Sequence, residues 1–513
     1  MLTLISLLLV AATVPASPPV VAVESGTLSG ARDGDVRIFK DIPYAAPPTG
    51  ELRWRPPAPA QHWRGVRRAA EYGFSCPQKP FPGDSQPIET ETNEDCLTLN
   101  VWAGPENGKP RPVMVWIHGG GLMNGGSATP ATDGRALARQ GVVVVTFNYR
   151  LGRLGFFAHP ALSAESPGAP LGNYGYMDQI AALKWVRANI GAFGGDPHNV
   201  TIFGESAGGG SVAMLMTSPL AKGLYDKAII ESGGGRQVPI AIRGASADGG
   251  PSMEAIGETF AREAGVKEGD VLASLRALPA DKVVGGVNMI NNFDRKKSVN
   301  WSVDGVLLKA DPTTIFMRGE QAKVPLIVGA NSDELGSIPM IGALAAHALS
   351  QFGEAAPLVK ALYQRPGGGE ELDRLPGDAG FVEPARYMAR RAAEAGGKAW
   401  HYSFAYVASA DRKKLKGAPH ASEIAYVFGN PDAIRGATDA DRKMAATVSA
   451  TWVRFAQTGN PAGQAVDWPA YDPASRPTLV FDEALTVTTN LDGARLDLIE
   501  AAYTKGIWSK LAQ

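Results

Sequence analysis

Several stretches of the chain run almost continuously apolar and rich in β-branched residues, between turn formers: 113–117, 142–147, 200–203, 228–230 and 324–328. A strand with one wet face alternates apolar and polar positions, whereas a strand covered on both faces does not, so these read as buried strands of a largely parallel sheet. Helical patterns lie between them. The clearest is 177–190, where Met177, Ile180, Leu183, Val186 and Ile190 fall on one stripe. Strands alternating with helices predict an α/β protein with a large, mostly parallel central sheet and helices on both faces. Residues 251–320 and 340–398 are richer in helical than in strand pattern and read as helical insertions over the sheet's edge. With no internal repeat and no long polar linker, residues 17–513 are expected to form a single catalytic-size domain.

Composition adds exclusions. Lys and Arg number 50 against 51 Asp and Glu, without the basic excess of a nucleic-acid binder. Residues 1–16 hold a short apolar run ending in Val14-Pro15-Ala16, which reads as a signal peptide cleaved after Ala16, although no Lys or Arg precedes Arg32. That run is too short to span a bilayer, and no later apolar stretch reaches spanning length. The expected location is therefore secreted or periplasmic, with no stable membrane insertion. The only cysteines are Cys76 and Cys96. In an oxidising compartment they are expected to form a disulfide, worth roughly 3 kcal/mol in the chain-entropy view. Two sulfurs without a nearby His pair do not make a zinc site. No metal or organic cofactor is expected.

The chemistry concentrates at Gly204-Glu205-Ser206-Ala207-Gly208, a G-x-S-x-G element between a strand-like run and a helix-like run. Such a serine sits on a tight turn with its hydroxyl lifted clear of the sheet. Glycines flank it because side chains there would meet neighbouring backbone, and the helix N-terminus behind it favours developing negative charge. Serine needs a base and oxyanion donors supplied from elsewhere. His118-Gly119-Gly120-Gly121 follows a strand where an oxyanion loop belongs, so the amides of Gly120, Gly121 and Ala207 are the expected donors. A phosphate-loop reading of 121–127 fails for want of a Lys. A nucleophile–acid–base chain order leaves His347, His401 and His420 as bases. His347 falls in a helical pattern and His401 in a strand-like one. His420 lies in a polar loop after that strand, where such sheets hold their sites, and is the choice. The acid follows the strand at 324–328, and pattern leaves both Asp333 and Glu334 open.

These residues resemble the type-B carboxylesterase family, which includes the cholinesterases. Phe193-Gly194-Gly195, then four residues, then the segment from Val200 to Gly208 matches its long serine signature. The stretch from Glu94 through Cys96 to Trp102 matches a second signature, departing only at Gly104. Asn173-Tyr174-Gly175, Val303-Asp304-Gly305 and Thr458-Gly459-Asn460-Pro461 extend the resemblance over nearly the whole mature chain. It implies the α/β-hydrolase fold, Glu334 as the acid (in Asp333-Glu334-Leu335, with Leu where the family has Gly), and His420 as the base. It further implies Ser232 as a support of the acid, Glu205 as a neighbour of the triad, and a Cys76–Cys96 bridge. Cholinesterases place a cation-binding tryptophan in the loop so closed. Residues 77–95 contain no Trp or Tyr, only Phe81, which argues against a choline ester.

The implied activity is two-step hydrolysis of small-molecule carboxylic esters through an acyl-enzyme. A specialised esterase for a bulky natural ester or carbamate would use the same triad. A non-catalytic, cholinesterase-like binding module would be expected to lack the serine, the histidine or the glycines. The pattern Asn-X-Ser/Thr at Asn199 and Asn300 is too short to assign as glycosylation, and oligomeric state is not encoded in any motif.

Overall fold

The computed structural model describes residues 17–505 apart from 81–86, 107, 235, 237–238, 247–248, 268, 289–298, 337, 339, 365–368 and 464–465. The expected signal segment 1–16 and Phe81 lie outside the described residues. Eleven strands of the described chain form one sheet: β1 (Ala31–Asp33), β2 (Val36–Pro43), β3 (Thr98–Ala103), β4 (Arg111–Ile117), β5 (Val143–Phe147), β6 (Gly195–Glu205), β7 (Lys227–Glu231), β8 (Leu326–Asn331), β9 (Ala399–Phe404), β10 (Pro477–Phe481) and β11 (Thr486–Thr489). Their spatial order is β11-β10-β9-β8-β7-β6-β4-β5-β3-β2-β1. Neighbours from β10 through to β5 are parallel, and the flanks are antiparallel.

The apolar runs are continuous because each strand feeds two cores. In β4, Val113, Val115 and Ile117 enter one cluster while Met114 and Trp116 enter the other. Ala228 and Ile230 of β7, and Leu326 and Val328 of β8, join the first cluster, and Ile229 and Ile327 the second. Helix Tyr174–Asn189, starting slightly before the predicted stripe, buries Ile180, Leu183 and Val186 against the first cluster. Helix Asp439–Thr458 buries Val448, Trp452 and Phe455 against the second.

The region 251–320 contains short helices, among them Met253–Glu263 and Val271–Arg276. Arg276, buried, pairs with Glu165 at 2.7 Å, and Arg53 donates to the Arg276 and Leu278 carbonyls at 3.0 and 2.6 Å, which fastens this region to the body. The 340–398 region differs from expectation at its end. Its helix Glu383–Glu394 packs on β8 and β9, with Ala385, Met388 and Ala389 in the first core, so it is a sheet-covering helix and not an insertion. A separate three-stranded sheet, Val20–Val23, Gly26–Ser29 and Val66–Arg68, was not legible in the pattern. Among the described residues, no helix is long and apolar enough to cross a membrane.

Strand order reverses at β4: the chain passes to β5 on one side and then to β6 on the other. The carboxyl ends of β4 and β6 therefore diverge into a crevice, the position where open α/β sheets bind ligands. Ser206 directly follows β6 and His118 directly follows β4.

Candidate active site

Ser206 links β6 to helix Ala207–Thr217 with φ 55° and ψ −123°, a conformation that L side chains rarely adopt. Its amide donates to the Glu231 carbonyl at 2.9 Å, and its carbonyl accepts from the Gly210 amide at 2.8 Å. The flanking glycines are a packing requirement. A Cβ on Gly208 would lie 2.0 Å from the Ile117 carbonyl oxygen, and one on Gly204 2.6 Å from the same atom. The strained turn is thus locked between the ends of β4 and β7.

The glycine loop after β4 lies against this turn, since a Cβ on Gly119 would be 3.1 Å from Ser206 Cβ. Gly120 and Gly121 have φ of 94° and 64°. The Gly120 carbonyl accepts from the Met123 and Asn124 amides at 3.0 and 2.9 Å. His118 itself is buried, stacked on Tyr149 with ring centroids 4.3 Å apart, and burial pulls its pKa down to about 4. It is a neutral structural residue.

His420 enters from the opposite side. Its Nδ1 lies 2.5 Å from Glu334 Oε2, and its Nε2 lies 3.2 Å from Oε1 of Glu205, the residue preceding Ser206. The Phe381 ring covers the imidazole, centroids 4.7 Å apart. Phe381 belongs to a π-helical turn, Asp378–Val382, just before helix Glu383–Glu394. Such turns recur at functional sites. Burial alone would lower the pKa of His420, but Glu205 and then Glu334 outweigh it and push it up to about 10.

Glu334 is buried and fully engaged. Its Oε1 accepts from Ser232 Oγ at 2.7 Å and from the Asn331 amide at 2.6 Å. The alternative acid, Asp333, turns away toward Gly336 and packs beside Gly417. The pattern had left the two open; the structure brings Glu334, and not Asp333, to His420. Of the other histidines, His347 lies exposed on helix Ile341–Ser350. His401 is buried in β9, where its Nδ1 meets Thr478 Oγ1 at 2.9 Å and its Nε2 has no hydrogen-bond partner among the described residues, so it is a core residue apart from Glu334 and Ser206.

Other residues of the site went unassigned in the sequence. Glu423 is buried, accepts from Asn331 Nδ2 at 2.6 Å and lies 3.5 Å from Ser232 Oγ; burial, then Glu334, pushes its pKa up to about 7. Glu231 is held by Trp452 Nε1 at 2.7 Å and is raised well above the carboxylate range by burial, then by Glu423. Both flank residues already singled out, Glu231 beside Ser232 and Glu423 three positions after His420. The available signal was one Glu beside an apolar run in each case, Ala228-Ile229-Ile230-Glu231 and Glu423-Ile424-Ala425-Tyr426-Val427. Cys76 and Cys96 are bonded, with Cα atoms 5.1 Å apart.

A sheet of this topology with a serine elbow at its switch point defines an α/β-hydrolase. Residues 17–357 and 368–499 match the profile of the Carboxylesterase family, and the chain belongs to that family. It is 37% identical over 477 residues, 88% of this chain and 84% of the relative, to a fumonisin B1 esterase of Sphingopyxis macrogoltabida. It is 36% identical over 493 residues, 91% of this chain and 96% of the relative, to a para-nitrobenzyl esterase of Bacillus subtilis (strain 168). A solved structure of a PNB esterase superimposes with a TM-score of 0.80 at 33% identity, covering 94% of this chain and all of the other. The chain is a carboxylic-ester hydrolase acting on small-molecule esters, as its family and these relatives define.

Proposed function

We propose that Ser206, His420 and Glu334 form the triad of a serine carboxylesterase. The observation that carries this reading is the short Glu334–His420 contact, which turns the far side of the ring toward the nucleophile turn. His420 Nε2 accepts the Ser206 proton as the serine oxygen adds to the ester carbonyl. The amides of Gly120, Gly121 and Ala207 hold the resulting oxyanion, and each such donor contributes about 3 kcal/mol in the transition state. His420 then protonates the leaving alcohol, and water repeats the cycle on the acyl-enzyme. Glu334 orients the ring and stabilises its charged form, while Ser232 and the Asn331 amide hold Glu334 in place. Glu205 provides a second anionic neighbour to the imidazolium.

The substrate class is a carboxylic ester without a quaternary ammonium group, given the absence of Trp and Tyr from residues 77–95. We also propose export to the periplasm or outside the cell, with removal of residues 1–16 and residues 17–513 acting as one catalytic domain; the Cys76–Cys96 disulfide supports this. Ser206→Ala should lower turnover of a p-nitrophenyl ester by at least about 10⁴-fold with unchanged unfolding temperature. Substantial residual turnover would remove Ser206 from the mechanism.

A further inference from the structure

The glycine loop is held by two side chains from other segments: Tyr149, whose hydroxyl donates to the His118 carbonyl at 2.8 Å, and Gln78, which grips its far end. After Gly120 and Gly121 the chain turns back on itself through Asn124 and Gly125. A Cβ on Gly120 would lie 2.3 Å from the Asn124 carbonyl oxygen, and one on Gly125 2.4 Å from His118 Nδ1. Residues 118–125 therefore form a closed unit in which a shift of Gly125 is transmitted to Gly120. Gly125 has both backbone groups paired to the amide of Gln78: its N–H donates to Oε1 at 2.9 Å, and its carbonyl accepts from Nε2 at 2.7 Å. A primary amide that donates to and accepts from one residue fixes that residue's position and rotation together, as a neighbouring strand would.

The clamp is itself anchored. Gln78 Nε2 also donates to the Cys76 carbonyl at 3.1 Å, and Asn124 Nδ2 donates to the Lys79 carbonyl. Cys76 is buried and bonded to Cys96, two residues before β3. The Asn148 side chain completes the frame, bonding the Phe74 carbonyl at 2.9 Å and the Ser127 amide at 2.8 Å.

We propose that Gln78 is a positioning residue for the oxyanion loop, holding Gly120 and Gly121 in register with Ser206 from a segment tethered by the disulfide. This rests on the oxyanion role given to those amides above. Gln78 does not reach the substrate. It fixes where two donors point, and donors of this kind act through placement rather than through ground-state binding.

The test compares Gln78→Ala and Gln78→Glu with the native enzyme, on a p-nitrophenyl ester and on an aliphatic trifluoromethyl ketone. The Ser206 oxygen adds to the ketone carbon, the carbonyl becomes an oxyanion, and the serine proton passes to His420, so affinity reads the oxyanion donors directly. Gln78→Ala is expected to lower kcat about 10- to 100-fold, with KM changed less than about threefold and ketone inhibition weakened by the same factor as kcat. Gln78→Glu retains an acceptor for the Gly125 amide and should fall between the two. A merely structural role would lower the unfolding temperature while leaving kcat and ketone affinity of the folded fraction within about twofold, and that result overturns the proposal. If Gln78→Ala does not fold, Gln78→Glu decides the matter on the same two readouts. Failure here alongside an inactive Ser206→Ala leaves the triad reading standing. An active Ser206→Ala removes the oxyanion reading itself.

Discussion

At the scale of single residues, His420, the proposed base, sets the expected pH dependence through its environment. It lies between Glu334 and Glu205, and the two carboxylates raise its pKa to about 10 against the pull of burial. A general base works only unprotonated, so raising its pKa moves the acidic limb of the rate profile upward. Activity should therefore climb with pH well above 6.5, the ordinary value for histidine, and not level off near neutrality as an unperturbed imidazole would. Glu205→Gln removes an oppositely charged stabiliser of the imidazolium and should lower that limb by about 1–3 units. A kcat/KM profile of both proteins checks this; identical limbs would free His420 from Glu205. Gly208 is decisive in another way. Gly208→Ala places a methyl 2.0 Å from the Ile117 carbonyl, and equilibrium unfolding in urea should show a loss of about 1–3 kcal/mol or more. Much of this scale was legible in the sequence. The serine elbow, the glycine loop and His420 follow from local spacing. Spacing alone left Asp333 and Glu334 open, because adjacent residues at a strand's end point to different sides; the family resemblance implied Glu334, and the tertiary contacts bring that residue to the ring. Glu231, Asn331 and Phe381 are brought in by the fold, and no short motif announces them.

Among elements, those with one clear pattern were readable. Strands fed by two cores show as unbroken apolar runs, and β4 through β8 lie within a few residues of where the pattern puts them. The small sheet of Val20–Val23, Gly26–Ser29 and Val66–Arg68 has strands of only three or four residues with exposed positions, and only the first, Val20-Val21-Ala22-Val23, is apolar throughout. The π-helical turn Asp378–Val382 reads Asp-Ala-Gly-Phe-Val, with no motif that marks a π turn, and Phe381 comes to lie over His420 through packing. The disulfide segment is the element most open to experiment. Its bond closes 20 residues of chain between two buried cysteines. Replacing both with Ala should cost about 3 kcal/mol by restoring freedom to the unfolded chain, and urea unfolding reads this directly. An unchanged midpoint would mean that surrounding contacts such as Arg53–Glu94 hold the segment unaided.

On the scale of the whole molecule, the sheet's reversal at β4 brings together groups that lie far apart in sequence. Ser206 comes from β6, the glycine loop from β4, Glu334 from the end of β8, and His420 from the loop after β9. Gly377 lies beside Glu334 and Phe381 over His420, so the choice of ester is expected to follow the segment that carries them while the chemistry stays with the sheet. The central claim is that a single serine, activated by His420, carries the acyl group. A fluorophosphonate probe followed by peptide mapping tests it most directly. The account predicts a single adduct on Ser206, formed in step with loss of esterase activity and absent from His420→Ala. Labelling at another residue, or full activity in the labelled protein, would contradict it.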